Sequence, residues 1–208
     1  MCNLITTELS IGKGIRYAKK EDLVYLPKVI LVNKFTEEST SKFAKDMNDA
    51  HNTGQPIIPI VIDSYGGYVY QLLAMIDIIR NAKIPVATIV MGKAMSCGSV
   101  LMSCGTEGHR YIAPNATVMI HDCSAGSWGK VEEIKADAEE TKRLDTLFFK
   151  IMANNCGKDD DYFKKIVHEH SHADWYLTPE ECVKHNLANY IRVPSFKVNV
   201  GLEVSFGS

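Results

Sequence analysis

Ser96 stands in Gly92-Lys93-Ala94-Met95-Ser96-Cys97-Gly98-Ser99, the stretch of this chain best suited to chemistry. The apolar run Val86 to Met91 before it reads as a buried strand, and Val100-Leu101-Met102 after it begins a short helix ending near Gly105. A serine on a tight strand-to-helix turn has its hydroxyl pushed out of the sheet, with free backbone N–H groups beside it. A serine nucleophile needs both: access to a carbonyl, and donors for the oxyanion that forms on attack. Small-residue turns are more often packing solutions, so the motif alone does not define an enzyme. Lys93, three residues earlier, opens the possibility of a Ser-Lys dyad, although a position on the strand side predicts an exposed amine. His168-Glu169-His170-Ser171-His172 invites a metal reading, but it is not H-E-x-x-H and no second ligand cluster matches it. It reads as a polar loop, and no metal or cofactor is expected.

The elements that must position Ser96 follow from periodicity. Val29 to Val32 reads as a strand, and Thr36-Glu37-Glu38-Ser39 as the start of a helix carrying Phe43, Ala44 and Met47. Ile57 to Ile62 is a continuous apolar run, as in a parallel strand buried on both faces, with Pro59 counting against a central place for its early part. Asp63-Ser64-Tyr65-Gly66-Gly67 closes that strand, and Leu72, Leu73, Ile76 and Ile79 form a helical stripe behind it. Strand, loop and helix thus occur twice in succession, with glycines at each strand end, the edge where open parallel sheets bind ligands. Tyr111-Ile112 and Thr117 to His121 are further strands, and Gly126 to Gly129 is a flexible connection. Lys130 to about Asn155 is a long amphipathic helix, and Asp159-Asp160-Asp161 can cap a short helix through Val167. Thr178-Pro179-Glu180-Glu181 opens a last helix. From Ile191 the chain alternates as a terminal strand or hairpin.

A chain of 208 residues suits one α/β domain with a full core. The net charge of -2, with no dense Lys/Arg stripe, gives no reason to expect nucleic acid. Cys2, Cys97, Cys104, Cys123, Cys156 and Cys182 are scattered without paired spacing, as free thiols in a reducing compartment would be. The amino terminus lacks a signal-peptide pattern and no stretch is long and apolar enough for a membrane span, so a cytoplasmic protein is expected.

Three segments in one order resemble the family of Clp protease proteolytic subunits: Asp63 to Gly67, Met91 to Gly98, and Arg110-Tyr111-Ile112-Ala113-Pro114-Asn115-Ala116-Thr117-Val118-Met119-Ile120-His121. The similarity runs from about Val29 to Ile191. It implies a crotonase-like α/β fold of repeated β-β-α units with a protruding long helix. It also implies a serine endopeptidase with Ser96 as nucleophile, His121 as general base and Asp174, in Ala173-Asp174-Trp175-Tyr176-Leu177, as the triad acid. Gly67 and Cys97 would supply the backbone N–H pair of the oxyanion hole. Asp122 is a rival acid, but adjacent strand residues face opposite sides, which turns it away from His121. The implied domain plan is an amino-terminal arm over 1–22, a catalytic domain over 23–192 with an inter-ring helix at about 130–155, and a strand-like tail over 193–208. The implied partners are further copies of the chain, as a heptamer or tetradecamer, a separate AAA+ unfoldase, and unfolded polypeptides as substrate. The chain itself lacks a G-x-x-x-x-G-K-[ST] loop, so ATP dependence would come from outside.

Departures from the family pattern are Tyr65 where proline is usual, Cys97 where methionine is usual, and a longer interval between His121 and Asp174. Two alternatives share the fold: an acyl-CoA-type enzyme that keeps only the oxyanion hole, and an inactive ring subunit. Retention of Ser96, His121 and Asp174 together argues against both.

Overall fold

The computed structural model describes residues 5–10 and 27–201, with side chains from 27 to 196. In chain order the elements are β1 (Ile5–Ser10), β2 (Ile30–Val32), α1 (Glu37–His51), β3 (Ile58–Ser64), α2 (Val69–Arg80), β4 (Val86–Met95), α3 (Cys97–Ser103), β5 (Arg110–Ile112) and β6 (Thr117–Ile120). They continue with α4 (Val131–Asn155), α5 (Tyr162–Glu169), β7 (Trp175–Leu177), α6 (Pro179–Lys184), β8 (Tyr190–Ile191) and β9 (Phe196–Gly201).

The sheet runs β2-β3-β4-β5-β8, all parallel, and β4 is its long member. Thr88, Ile89 and Val90 pair with Arg110, Tyr111 and Ile112 of β5. Lys93, Ala94 and Met95 then pair with Thr117, Val118 and Met119 of β6, after the chain has jogged through Pro114-Asn115. The sequence reading ended this strand at Met91 and made Gly92 onward a turn. The strand in fact continues to Met95, because β6 supplies hydrogen-bond partners that local apolarity cannot reveal.

Alternation decides which side chains face which layer. Ile60, Ile62, Val86 and Val90 join the main core with Phe43 and Met47 of α1, Leu72 and Met75 of α2, and Val100 and Leu101 of α3. Val61, Ala87, Ile89 and Tyr111 form a smaller cluster on the other face, with Phe196 against it. Both faces are covered, which is why these strands read as unbroken apolar runs. Pro59 pairs only with β4, since β2 begins its pairing one residue later at Ile60. Its missing N–H therefore costs no ladder bond.

Helix starts follow from their caps. Thr36 accepts from the Ser39 N–H at 3.2 Å and the Ser39 hydroxyl accepts from the Thr36 N–H at 2.9 Å. Thr178 and Glu181 make the same reciprocal pair at the start of α6. Asp161 stands at the N-cap of α5 but makes no side-chain cap hydrogen bond; Asp160 pairs with Lys150 at 2.7 Å and Asp161 with Lys165 at 2.8 Å.

The long helix α4 has two unlike halves. Val131 to Glu139 are exposed, whereas Leu144, Phe148, Phe149, Ile151, Met152 and Ala153 are buried. Its first turns therefore stand clear of the domain. Arg110 is wholly buried yet fully engaged: its guanidinium donates to the Asn155 carbonyl at 2.6 Å and pairs with Glu107, and its backbone N–H donates to Asn189 Oδ1 at 3.0 Å.

The tail strand is present as β9, and its partner among the described residues is β1. The pairing is parallel, Ile5 opposite Phe196 through Ser10 opposite Gly201, so the expected amino-terminal arm contains a strand. Residues 11–26, including the rest of the expected arm, lie outside the described residues. No helix among the described residues is long and apolar enough to cross a membrane.

Candidate active site

Ser96 forms the whole turn between β4 and α3, with φ 53° and ψ -120°. A non-glycine residue at positive φ is disfavoured by about 1–3 kcal/mol and persists only where its surroundings dictate it. The surroundings here are strong. The Ser96 N–H donates to the Met119 carbonyl at 2.9 Å, and its own carbonyl accepts from the Ser99 N–H at 2.9 Å and the Ser99 hydroxyl at 2.6 Å. Every residue of α3 is buried, so the helix fixes the far side of the turn.

The glycine pair after β3 lies against this turn. A Cβ on Gly66, whose φ is 110°, would sit 2.9 Å from Ser96 Cβ and 3.3 Å from Ser96 Oγ. A Cβ on Gly67 would sit 2.6 Å from the Phe35 carbonyl oxygen, because Phe35 and Gly67 form a single parallel bridge. The neighbours that exclude a side chain at the glycine pair are Ser96 and Phe35. Cys97 is the first residue of α3, where an N–H has no intrahelical acceptor. The Gly67 N–H donates to no acceptor among the described residues. The Cys97 thiol donates to the Gly67 carbonyl at 3.3 Å and so ties the two segments together. Desolvation pushes that thiol up to about 11, so it is a neutral donor beside the serine and not a thiolate competitor.

Lys93 is removed as a base. Its ammonium donates to Asp63 Oδ1 at 2.6 Å and lies 4.2 Å from the centre of the Tyr65 ring. The bond to Asp63 raises its pKa, which keeps it cationic. It is also not the exposed amine expected, since its side chain is only 24% accessible.

His121 follows β6 directly. The antiparallel β6–β7 register sets Ile120 opposite Trp175, Met119 opposite Tyr176 and Val118 opposite Leu177. One step further along the same register, His121 meets Asp174, with Nδ1 3.5 Å from Asp174 Oδ1. The pair is partly open to solvent, at 24% and 49% side-chain exposure. Asp122 points elsewhere, as strand alternation predicted: its carboxylate accepts from His172 Nδ1 at 2.6 Å. Among the described residues, Ser96 and His121 do not share a hydrogen bond; the neighbouring strands β4 and β6 carry them to the same edge of the sheet.

Sequence reasoning missed Asp145. It is buried on α4, where Oδ1 accepts from the Cys123 N–H at 2.9 Å and Oδ2 accepts from Lys164 at 2.8 Å. It anchors the chain two residues after His121. The signal was available, since an acid between Leu144 and Phe148 interrupts the apolar stripe of its helix.

A strained serine at a strand-to-helix turn, the N–H groups of Gly67 and Cys97 near it, unpaired among the described residues, and a His–Asp pair at the ends of two adjoining strands are the elements a serine hydrolase uses. The Clp protease family model matches residues 16–194. The chain is also 36% identical over 144 residues to the ATP-dependent Clp protease proteolytic subunit of Deinococcus radiodurans, covering 69% of this chain and 68% of that one. The chain belongs to the Clp protease family, and its activity is that of a peptidase. Neither alternative activity on the same fold is favoured.

Proposed function

We propose that the chain is a serine endopeptidase in which Ser96, His121 and Asp174 act as a triad. The contact between His121 and Asp174 across the β6–β7 register, beside the Ser96 turn, is the observation that carries this reading. His121 Nε2 takes the proton of the Ser96 hydroxyl as Oγ attacks a peptide carbonyl, and Asp174 orients the ring and stabilises the imidazolium. The negative charge forming on the carbonyl oxygen is met by the N–H groups of Gly67 and Cys97. The imidazolium then passes its proton to the leaving amine, and water repeats the sequence on the acyl-serine.

Assembly follows from family membership, and the exposed Trp128, Val131 and Ile134 at the free end of α4 support a contact with other copies. We assign the catalytic unit to 23–192, with 1–22 and 193–208 flanking it, and the assembly to rings of seven, single or paired. A chamber of that kind excludes folded proteins, so the substrates are unfolded polypeptides. The Deinococcus relative is named as ATP-dependent, and an AAA+ unfoldase is the matching partner here.

The test is hydrolysis of a permanently unfolded protein against a stably folded one, with size measured by light scattering. The unfolded substrate should be cleaved by an oligomer of at least seven chains, and Ser96→Ala should abolish cleavage without changing size. A persistent, active monomer would remove the chamber; an active Ser96→Ala chain would remove the triad.

A further inference from the structure

Away from the Ser96 turn, Asp122, His168 and His172 converge so that one ligand atom from each lies within 4.8 Å of the others. The His172 Nδ1 is 2.6 Å from Asp122 Oδ2, and the His168 Nε2 is 3.6 Å from Asp122 Oδ1. The two imidazole centres are 4.0 Å apart. The sequence reading dismissed His168 to His172 for want of a further ligand. The chain fold supplies that ligand, from a segment 46 positions before His168.

Three observations favour an ion over a plain hydrogen-bonded cluster. Asp122 Oδ1 is buried and has no hydrogen-bond partner, an uncommon state for a carboxylate oxygen unless something else satisfies it. Ser171 and His172 hold φ values of 59° and 60°, two successive non-glycine residues in the left-handed region. That costly turn brings the His172 ring back over His168. Finally, all three ligand atoms lie within 4.8 Å of one another, close enough for small side-chain adjustments to seat them on a tetrahedral ion, whose ligands stand about 3.3 Å apart.

We propose that Asp122, His168 and His172 bind a divalent transition-metal ion of the zinc class. Two imidazoles and one carboxylate suit zinc, cobalt or nickel, whereas calcium and magnesium prefer all-oxygen sets. All three side chains reach solvent, so an ion can enter and a water can complete its shell. The ion joins the segment after β6 to the turn after α5. Those segments also carry His121, one residue before Asp122, and Asp174, two residues after His172. The site is therefore a structural clamp behind the proposed base and acid, and the binding itself does not depend on the triad reading.

The experiment uses the full chain carrying Ser96→Ala, stripped with a chelator, so that failure of the peptidase reading leaves it unaffected. Calorimetry with Zn2+ should give one ion per chain, weakened at least about tenfold by His168→Ala, His172→Ala or Asp122→Asn. Zn2+ should raise the melting temperature of the parent and not that of the variants. Asp122→Asn keeps the side-chain shape, and circular dichroism confirms that each variant folds. The Co2+ form should show visible ligand-field bands without the near-ultraviolet charge-transfer band of a thiolate. Absence of stoichiometric binding, equal binding by the folded variants, or a sulfur-to-cobalt band would overturn the assignment.

Discussion

The two sides of the candidate site are built differently. Ser96 sits in a largely buried frame: Val86 to Val90 and Ala94 of β4 and the whole of α3, with Gly66 pressed against its side chain. His121 and Asp174 stand at the rim, both partly open to water, His121 just after the four-residue β6 and Asp174 just before the three-residue β7 that pairs with it. The proposed nucleophile is thus set by the core of the domain, and the proposed base–acid pair by the ends of two short strands. Preorganisation of the first is intrinsic to the monomer. The second is the side on which assembly, or an ion at Asp122, can act.

Substitutions can break this contrast. Ser96→Ala and His121→Ala should each lower kcat/KM by about 10⁴-fold or more, because neither role has a substitute. Asp174→Asn should cost less, about 10²-fold, since its carboxylate is exposed and its field is screened by water. Equal losses for all three would show that the rim is as tightly set as the core. Gly66→Ala should lower kcat by about a hundredfold with little loss of secondary structure, because the added Cβ displaces Ser96 by several tenths of an ångström.

Stability separates the two sides next. Arg110→Met leaves the Asn155 carbonyl and the Glu107 carboxylate without their guanidinium partner, and should cost about 3 kcal/mol in urea unfolding while sparing kcat in the folded fraction. Asp145→Ala should cost about 2 kcal/mol and also lower kcat, since it releases Cys123 and with it the His121 segment.

A pH experiment tests the support beneath Asp174. His185 packs edge-on against Trp175 with ring centres 5.0 Å apart, and desolvation first, then nearby lysines, lowers its pKa below the usual 6.5. The unfolded chain therefore binds this proton more readily than the folded one. Its contribution is complete above about pH 6.5 and is lost as the pH falls from there toward the folded value. The melting temperature should fall over that window, and His185→Gln should flatten the fall. The smallest effect concerns Cys97, whose buried thiol should resist alkylation at neutral pH until the chain unfolds.

Much of this was legible in the sequence because it is local. The run Val86 to Met91, the caps at Thr36 and Thr178 and the glycines beside Ser96 each declare themselves within a few residues. The resemblance to the Clp protease family carried the assignments of His121 and Asp174. What local pattern could not give was pairing across the chain. Residues 92–95 belong to β4 only because β6 lies beside them, and Asp174 meets His121 only through the β6–β7 register. Asp122 was correctly turned away from His121 by alternation, yet its partners His168 and His172 could not be read from that rule. The same holds for β1 and β9, whose pairing joins opposite ends of the chain.

The most direct measurement is mass mapping of the folded, assembled chain after exposure to a fluorophosphonate. A single adduct on Ser96 is predicted, absent from Ser96→Ala and His121→Ala and slower to form in Asp174→Asn. An adduct on another residue, or none at all on the assembled chain, would contradict the assignment of Ser96 as the nucleophile.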